Sequence, residues 1–232
     1  MAESEILGAG EFKDRGTKTR KYLYAIIPCA KGKGFGNIGI EGENVYTLIF
    51  RDIAAVVSDT LEAEYELTEQ NARKHDAVLR QIMSEHTVIP VEFGTVFQND
   101  VIMKQLLSRA YHPIKRCLPL VDNVVEVGLK AVTMKDSPNL EGERGKPYPE
   151  EILRPLKERA VRSTSVEIFS DRLVLNESFL VKRDGLSSFS EEVARLEEKY
   201  PTLRFLYSGP WAPYNFVHIR IGRQGIEIKK SE

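Results

Sequence analysis

The chain has 232 residues, 42% hydrophobic and 29% charged, and 33 basic against 34 acidic side chains give a formal net charge of -1. Such a composition is globular rather than disordered, and the length suits one large domain or two small ones. So even a balance offers no concentrated positive field for a phosphate backbone, so nucleic acid is not expected as a partner.

Residues 1–20 are polar and charged (Glu3, Glu5, Glu11, Lys13, Asp14, Arg15) and lack an apolar segment. They read as a mobile tail rather than a secretory signal. No stretch approaches the roughly 18 apolar residues of a membrane helix, so no membrane span is expected. Cys29 and Cys117 each sit among apolar neighbours and read as buried free thiols of a reducing compartment, the cytoplasm.

Tyr22-Leu23-Tyr24-Ala25-Ile26-Ile27 predicts the first strand, ended by Pro28. After a Gly-rich stretch, the runs 45–50 and 53–57 predict two strands joined tightly at Arg51-Asp52, apolar enough to be covered on both sides. Thr68 is placed to cap a helix whose Ala72, His75, Leu79 and Ile82 share a face. Residues 87–97 read as a further strand with Pro90 at an edge or bulge. Asp100 opens a second helix, which Pro113 is expected to break or kink.

In the second half, 124–134 predicts a strand, and 135–162, rich in proline and charge, a mobile loop and then a short helix. A strand follows at 173–181, then a helix opened by the capping box Ser188-Phe189-Ser190-Glu191, with Phe189, Val193, Leu196 and Tyr200 as its apolar stripe. Strands at 203–207 and 215–221 close the chain. The expected fold is α+β: two small domains, 21–121 and 122–232, each a sheet with helices on one face. The second, in the order βαβαββ, is expected to form a modified ferredoxin-like sandwich.

Gly34-Phe35-Gly36-Asn37-Ile38-Gly39 is a literal G-x-G-x-x-G, with Asp59 at a suitable distance for a ribose contact. The fingerprint requires a helix N-terminus after the glycines, and Ile40-Glu41-Gly42-Glu43-Asn44-Val45-Tyr46 is too short and strand-like to supply one. His75, His86, His112 and His218 form no close metal pair and read as structural, His218 on an exposed strand face. Glu62, Glu64 and Glu66 read as a solvated acidic face. No nucleophile elbow, P-loop or zinc pattern is present, so no catalytic residue, metal or cofactor is expected.

Two segments gather aromatic side chains around prolines and glycines, 88–97 and 207–217. Their rings either close a core or present a rigid surface to a protein partner. Phe93, Phe97, Tyr207, Trp211, Tyr214 and Phe216 are the candidate protein-binding residues.

Tyr22-Leu23-Tyr24-Ala25-Ile26, Asp52-Ile53-Ala54-Ala55-Val56-Val57-Ser58, and the block from Val88 to Val96 resemble the gas vesicle protein F/L family. So do Val125 to Lys130, Leu175 to Val181, and Tyr207 to Val217, in the family's order. The resemblance implies two α+β domains, the C-terminal one modified ferredoxin-like, and an accessory protein rather than an enzyme. It implies binding to the small hydrophobic shell subunit and to other gas vesicle accessory proteins early in vesicle formation, within the cytoplasm and in association with the vesicles. A minor wall component and, in another class, a nucleotide-binding enzyme using 34–39 are the alternatives. The family commonly carries a longer helical hairpin where this chain has its short interval before the 173–181 strand.

Overall fold

The computed structural model describes residues 19–134, 148–167, 172–222 and 225–230; the expected mobile tail through residue 18 and loop at 135–147 lie outside them. Strand β1 (Arg20–Pro28) is the centre of a first, antiparallel sheet. With β2 (Gly34–Gly36), β3 (Val45–Phe50), β4 (Ile53–Thr60), β5 (Ile89–Pro90) and β6 (Val96–Phe97), the order is β2-β3-β4-β1-β5, and β6 also pairs with β1. The two-residue turn at Arg51-Asp52 joins β3 to β4, with Arg51 in the left-handed region at φ 58°.

Between Leu23 and Ala25 the register with β4 slips, leaving Tyr24 as an extra residue. The bulge breaks the alternation of faces, so Tyr22, Tyr24, Ala25 and Ile27 share one core while Leu23 and Ile26 face the other. Helix α1 (Glu69–Met83) covers the first of these faces and α2 (Asp100–Cys117) the second. The expectation of helices on one face is therefore wrong for this sheet. A strand as apolar as β1 has two faces to bury, and one helix cannot cover both.

Thr68 caps α1 as anticipated, its hydroxyl accepting from the Asn71 amide. Burying Leu79 and Ile82 completely stabilises the docked helix by about 1.5–3 kcal/mol each. Asn99 caps α2, accepting from the Ile102 amide at 3.0 Å, and the helix continues through Pro113 to Cys117 instead of breaking. Ala110, Ile114 and Cys117 are buried on either side of the proline, and their packing offsets the missing hydrogen bond. The expected strand over 87–97 is two short pieces separated by a turn, because Gly94 adopts φ 79°. Pro90 does lie at the sheet edge.

The second half runs β7 (Val124–Thr133), α3 (Tyr148–Lys157), β8 (Arg162–Ser165), β9 (Leu173–Lys182), α4 (Leu186–Lys199) and β10 (Leu203–Trp211). A hairpin of β11 (Val217–Gly222) and β12 (Gly225–Lys230) follows. The expected order βαβαββ omitted β8 and β12; a sheet of order β10-β7-β9-β8, antiparallel throughout, results. Here the helices do share a face: Ile152, Leu156, Phe189, Val193 and Leu196 pack on Val127, Leu129, Phe179 and Val181. Helix α4 starts two residues before Ser188, after a 3-10 turn at Arg183–Gly185, so the capping box lies inside it and makes no cap bond.

The fold class is thus α+β, built on two sheets whose cores touch. Val124, Leu180, Phe216 and Val217 join the α2-side core of the first sheet, and Val125 and Ala212 join the α1-side core.

Candidate functional site

The site grows from the end of β10. At Ser208 the strand's register against β7 slips, and Trp211 returns opposite Glu126. Gly209 makes this possible: its φ is 120°, and a Cβ there would lie 2.9 Å from the Glu126 carbonyl oxygen and 3.2 Å from Trp211 Cδ1. Residues 211–217 then cross to the first sheet and are held at three places, two on α1 and one on β7 of the second sheet.

Trp211 lies against α1, where the Arg80 guanidinium sits 4.2 Å from the ring centroid and donates through Nε to Asp76 Oδ2 at 2.6 Å. Tyr214 enters a buried hydrogen-bond chain. The Gly94 amide donates to Tyr22 Oη (3.0 Å), Tyr22 Oη lies 2.9 Å from His75 Nδ1, and His75 Nε2 lies 3.0 Å from Tyr214 Oη. Tyr214 Oη in turn donates to the Val91 carbonyl (3.4 Å). A neutral imidazole protonated on Nε2 gives every hydroxyl one donor and one acceptor. Burial pushes the His75 imidazole down to about 4 and holds the Tyr22 and Tyr214 hydroxyls well above the usual phenol range.

The third anchor is Glu126. It accepts from the Asn215 amide (2.8 Å) and from Asn215 Nδ2 (2.5 Å), which also donates to Ser178 Oγ at 3.0 Å. Burial raises its carboxyl above the ordinary value, against the hydrogen bonds from Asn215 and Ser178, which lower it.

The six aromatic candidates therefore separate. Phe97 and Phe216 are 8% and 3% exposed, both in the α2-side core. Tyr214 is tied to His75, and Phe93 packs edge-on against His75 at 5.8 Å. Trp211 is half-buried on α1. Tyr207 stands apart on β10, 37% exposed and stacked over Phe189 at 6.1 Å.

Beside Trp211 lies a cleft of about 250 Å³ that sequence reasoning missed, floored by Met83, Val125, Leu186 and Pro210 and rimmed by Arg80 and Arg183. Arg183 donates to the Met83 carbonyl and so bridges the end of α1 to the end of β9. A spacing of four residues between Asp76 and Arg80 was a readable sign of a fixed Arg80. Nothing local marked Arg183 or Leu186.

Gly34–Gly36 is a short strand against β3, and only a three-residue 3-10 turn follows, so no α-helix N-terminus faces the glycines. Gly39 is required by packing: a Cβ would lie 2.7 Å from the Glu43 carbonyl and 2.9 Å from Tyr24 Oη. His86 lies 3.0 Å from Lys33 Nζ, His112 is exposed, and the placing of His218 falls outside the described side chains. Cys117 is buried as expected, whereas Cys29 is only half-buried and donates to the Lys31 carbonyl. Among the described residues no cluster of His, Cys, Asp or Glu could hold a metal ion, and no helix is long and apolar enough to cross a membrane.

A sequence profile of the family described as gas vesicle synthesis protein GvpL/GvpF matches residues 20–150 and 139–218. The chain belongs to the GvpL/GvpF family. The two matched stretches overlap within the proline- and charge-rich interval, and the aromatic segment lies inside the second. The member is 35% identical to gas vesicle protein F of Haloferax mediterranei, covering 79% of this chain and 87% of that one. It is 32% identical to gas vesicle protein F1 of Halobacterium salinarum, covering 80% and 87%. Its fold is similar to the crystal structure of the gas vesicle protein GvpF from Anabaena sp. PCC7120, with a TM-score of 0.74 at 21% identity over 85% of this chain and 95% of that one. Membership gives this chain a gas-vesicle-related role.

Proposed function

We propose that this family member is an assembly factor, not an enzyme, that holds the hydrophobic shell subunit of a gas vesicle and contacts other gas vesicle proteins while the shell is built. It acts in the cytoplasm, in association with the vesicles. A subunit destined for a gas-impermeable wall exposes apolar surface before incorporation, and such surface aggregates unless covered. Support comes from family membership together with one feature: the half-buried Trp211 ring, held under Arg80, which with Met83, Val125, Leu186 and Pro210 also lines the cleft. Rigid aromatic and apolar groups lose little entropy when they dock. In this scheme Trp211 and Phe93 touch the partner, while Phe97, Tyr214 and Phe216 hold the backbone that presents them.

The test is co-purification of the tagged protein from cells expressing the shell subunit, for wild type, Trp211→Ala and Phe93→Ala, with folding checked by circular dichroism. Capture by wild type and loss in a folded Trp211→Ala variant is the expected result. No capture by wild type, or shell-subunit solubility unchanged by its presence, overturns the holding role. Undiminished capture by both variants moves the surface elsewhere.

A further inference from the structure

Strand β10 lies at the edge of the second sheet, and among the described residues nothing pairs with its outer side. Its hydrogen-bond phase can be read from its neighbours. The Met134 amide donates to the Thr202 carbonyl, and the next register pair is Thr133 with Leu203, whose Thr133 amide turns away to the Arg172 carbonyl. In an antiparallel ladder the direction alternates. Arg204, Leu206 and Ser208 therefore direct their main-chain groups to β7, while Leu203, Phe205 and Tyr207 direct theirs outward. The Leu203 amide is taken by the Tyr200 carbonyl, and the amides and carbonyls of Phe205 and Tyr207 have no main-chain partner among the described residues.

Such an edge is normally blunted by shortness, charge, proline or a bulge. Two other outer strands meet that rule: β8 is the four polar residues Arg162–Ser165, and β2 is three residues with glycine at both ends. Over 203–208, β10 has neither proline nor carboxylate and one charge, Arg204, and it exposes Leu206 (42%) beside Tyr207.

We propose that β10 is a self-association edge, through which two copies of this chain pair antiparallel about a two-fold axis at Leu206 and join two four-stranded sheets into one. The occupant follows from the register. With Leu206 opposite its own copy, Phe205 meets Tyr207 of the partner copy and Tyr207 meets Phe205. These are the two residues with both main-chain groups open, and they exchange about four hydrogen bonds. Arg204 falls opposite Ser208, so the strand's one charge never faces itself. The two Leu206 side chains cover each other on the outer face. A register centred on Phe205 would instead call on the Leu203 amide, which is already bonded. The near-neutral chain sets no strong repulsion between copies.

Sedimentation velocity across a wide range of micromolar concentrations tests the pairing in wild type and two variants. Leu206→Lys sets like charges opposite each other. Tyr207→Pro removes an outward amide that β7 does not use, which an edge strand tolerates. Wild type is expected to reach twice the chain mass, and each variant to raise the dissociation constant about tenfold or more while circular dichroism still shows a folded chain. Wild type that stays monomeric throughout, or a dimer that survives both substitutions, overturns the proposal. Should a variant fail to fold, hydrogen exchange of wild type decides: protection of the Phe205 and Tyr207 amides must rise with concentration, and protection independent of concentration overturns it. The shell-subunit capture test is separate, since Trp211→Ala leaves the β10 edge unchanged.

Discussion

On the α2 face of the first sheet, Leu23, Ile26, Ile53 and Val57 meet apolar side chains from α2 and from Phe216 and Val217. On the α1 face, Tyr22, Tyr24, Ser58 and His75 are as deeply buried yet joined by hydrogen bonds, Tyr24 Oη lying 3.0 Å from Ser58 Oγ and accepting from the Ile40 amide at 3.0 Å. Both faces receive the crossing segment 211–217. The dry face takes it by shape, the wired face by matching each donor with an acceptor. A vacancy on the dry face costs dispersion and transfer energy, with no dependence on pH. A fault on the wired face leaves a polar group unpaired, and its cost depends on protonation.

The largest effect expected from this contrast is Phe216→Ala, which opens a cavity in the dry face and should cost about 3–5 kcal/mol. Urea unfolding reads it directly, and the loss should be the same at pH 7 and pH 5. A loss under about 1 kcal/mol would mean that the ring is not part of the core. This also removes Phe216 from any useful test of partner binding, because the variant would fail through stability first.

Next comes the titration of His75. Its folded value near 4 lies below the ordinary 6.5. Its contribution is therefore complete above about pH 6.5 and is lost as pH falls through 4, because the unfolded chain binds the proton first. The gap corresponds to about 3 kcal/mol. Glu126 acts with the opposite sign: burial raises its carboxyl, so the fold gains relative stability as that group protonates. The pH dependence of the protein alone mixes the two. Comparing wild type with His75→Gln, in urea midpoints from pH 7 to pH 4, isolates the imidazole. The variant should lose less stability on acidification, and an identical acid loss in both would sink the assignment.

The wired face also shows where sequence stops being informative. The apolar run of β1 and its strand character were plain, because a strand covered on both faces is built mainly of apolar residues. The bulge at Tyr24 was not, since an extra residue is defined only against the partner strand β4. Strand β8 was missed because Arg162-Ser163-Thr164-Ser165 has no apolar alternation, and its pairing with β9 creates it. In the site, a cluster of rings was legible from 88–97 and 207–217. Which ring faces outward was not, because Phe216 and Trp211 differ only in what lies across from them, α2 and the sheet for one and Arg80 for the other. Arg183 and Leu186 reach the cleft by tertiary contact with a helix that ends about a hundred residues earlier, a separation over which no local pattern operates.

The smallest effect separates two arginines on α1 that look alike in sequence. Arg73 and Arg80 each pair with an acid four residues before, Glu69 and Asp76, at 2.5 and 2.6 Å. Both side chains of the Arg73 pair are more than three-quarters exposed, so solvent screens the attraction and ordering two long chains offsets the rest. Arg73→Ala should change stability by less than about 0.5 kcal/mol. Arg80 also lies on the Trp211 face and lines the cleft, so its removal takes away packing and a cation–π contact. Arg80→Ala should cost about 1 kcal/mol more than Arg73→Ala and should enhance quenching of Trp211 fluorescence by a soluble quencher. Tryptophan emission belongs to Trp211 alone, because the chain has no other tryptophan. Equal costs, with no change in quenching, would mean that Trp211 is held by the backbone path through Gly209 and Ala212 and that the guanidinium merely rests on it.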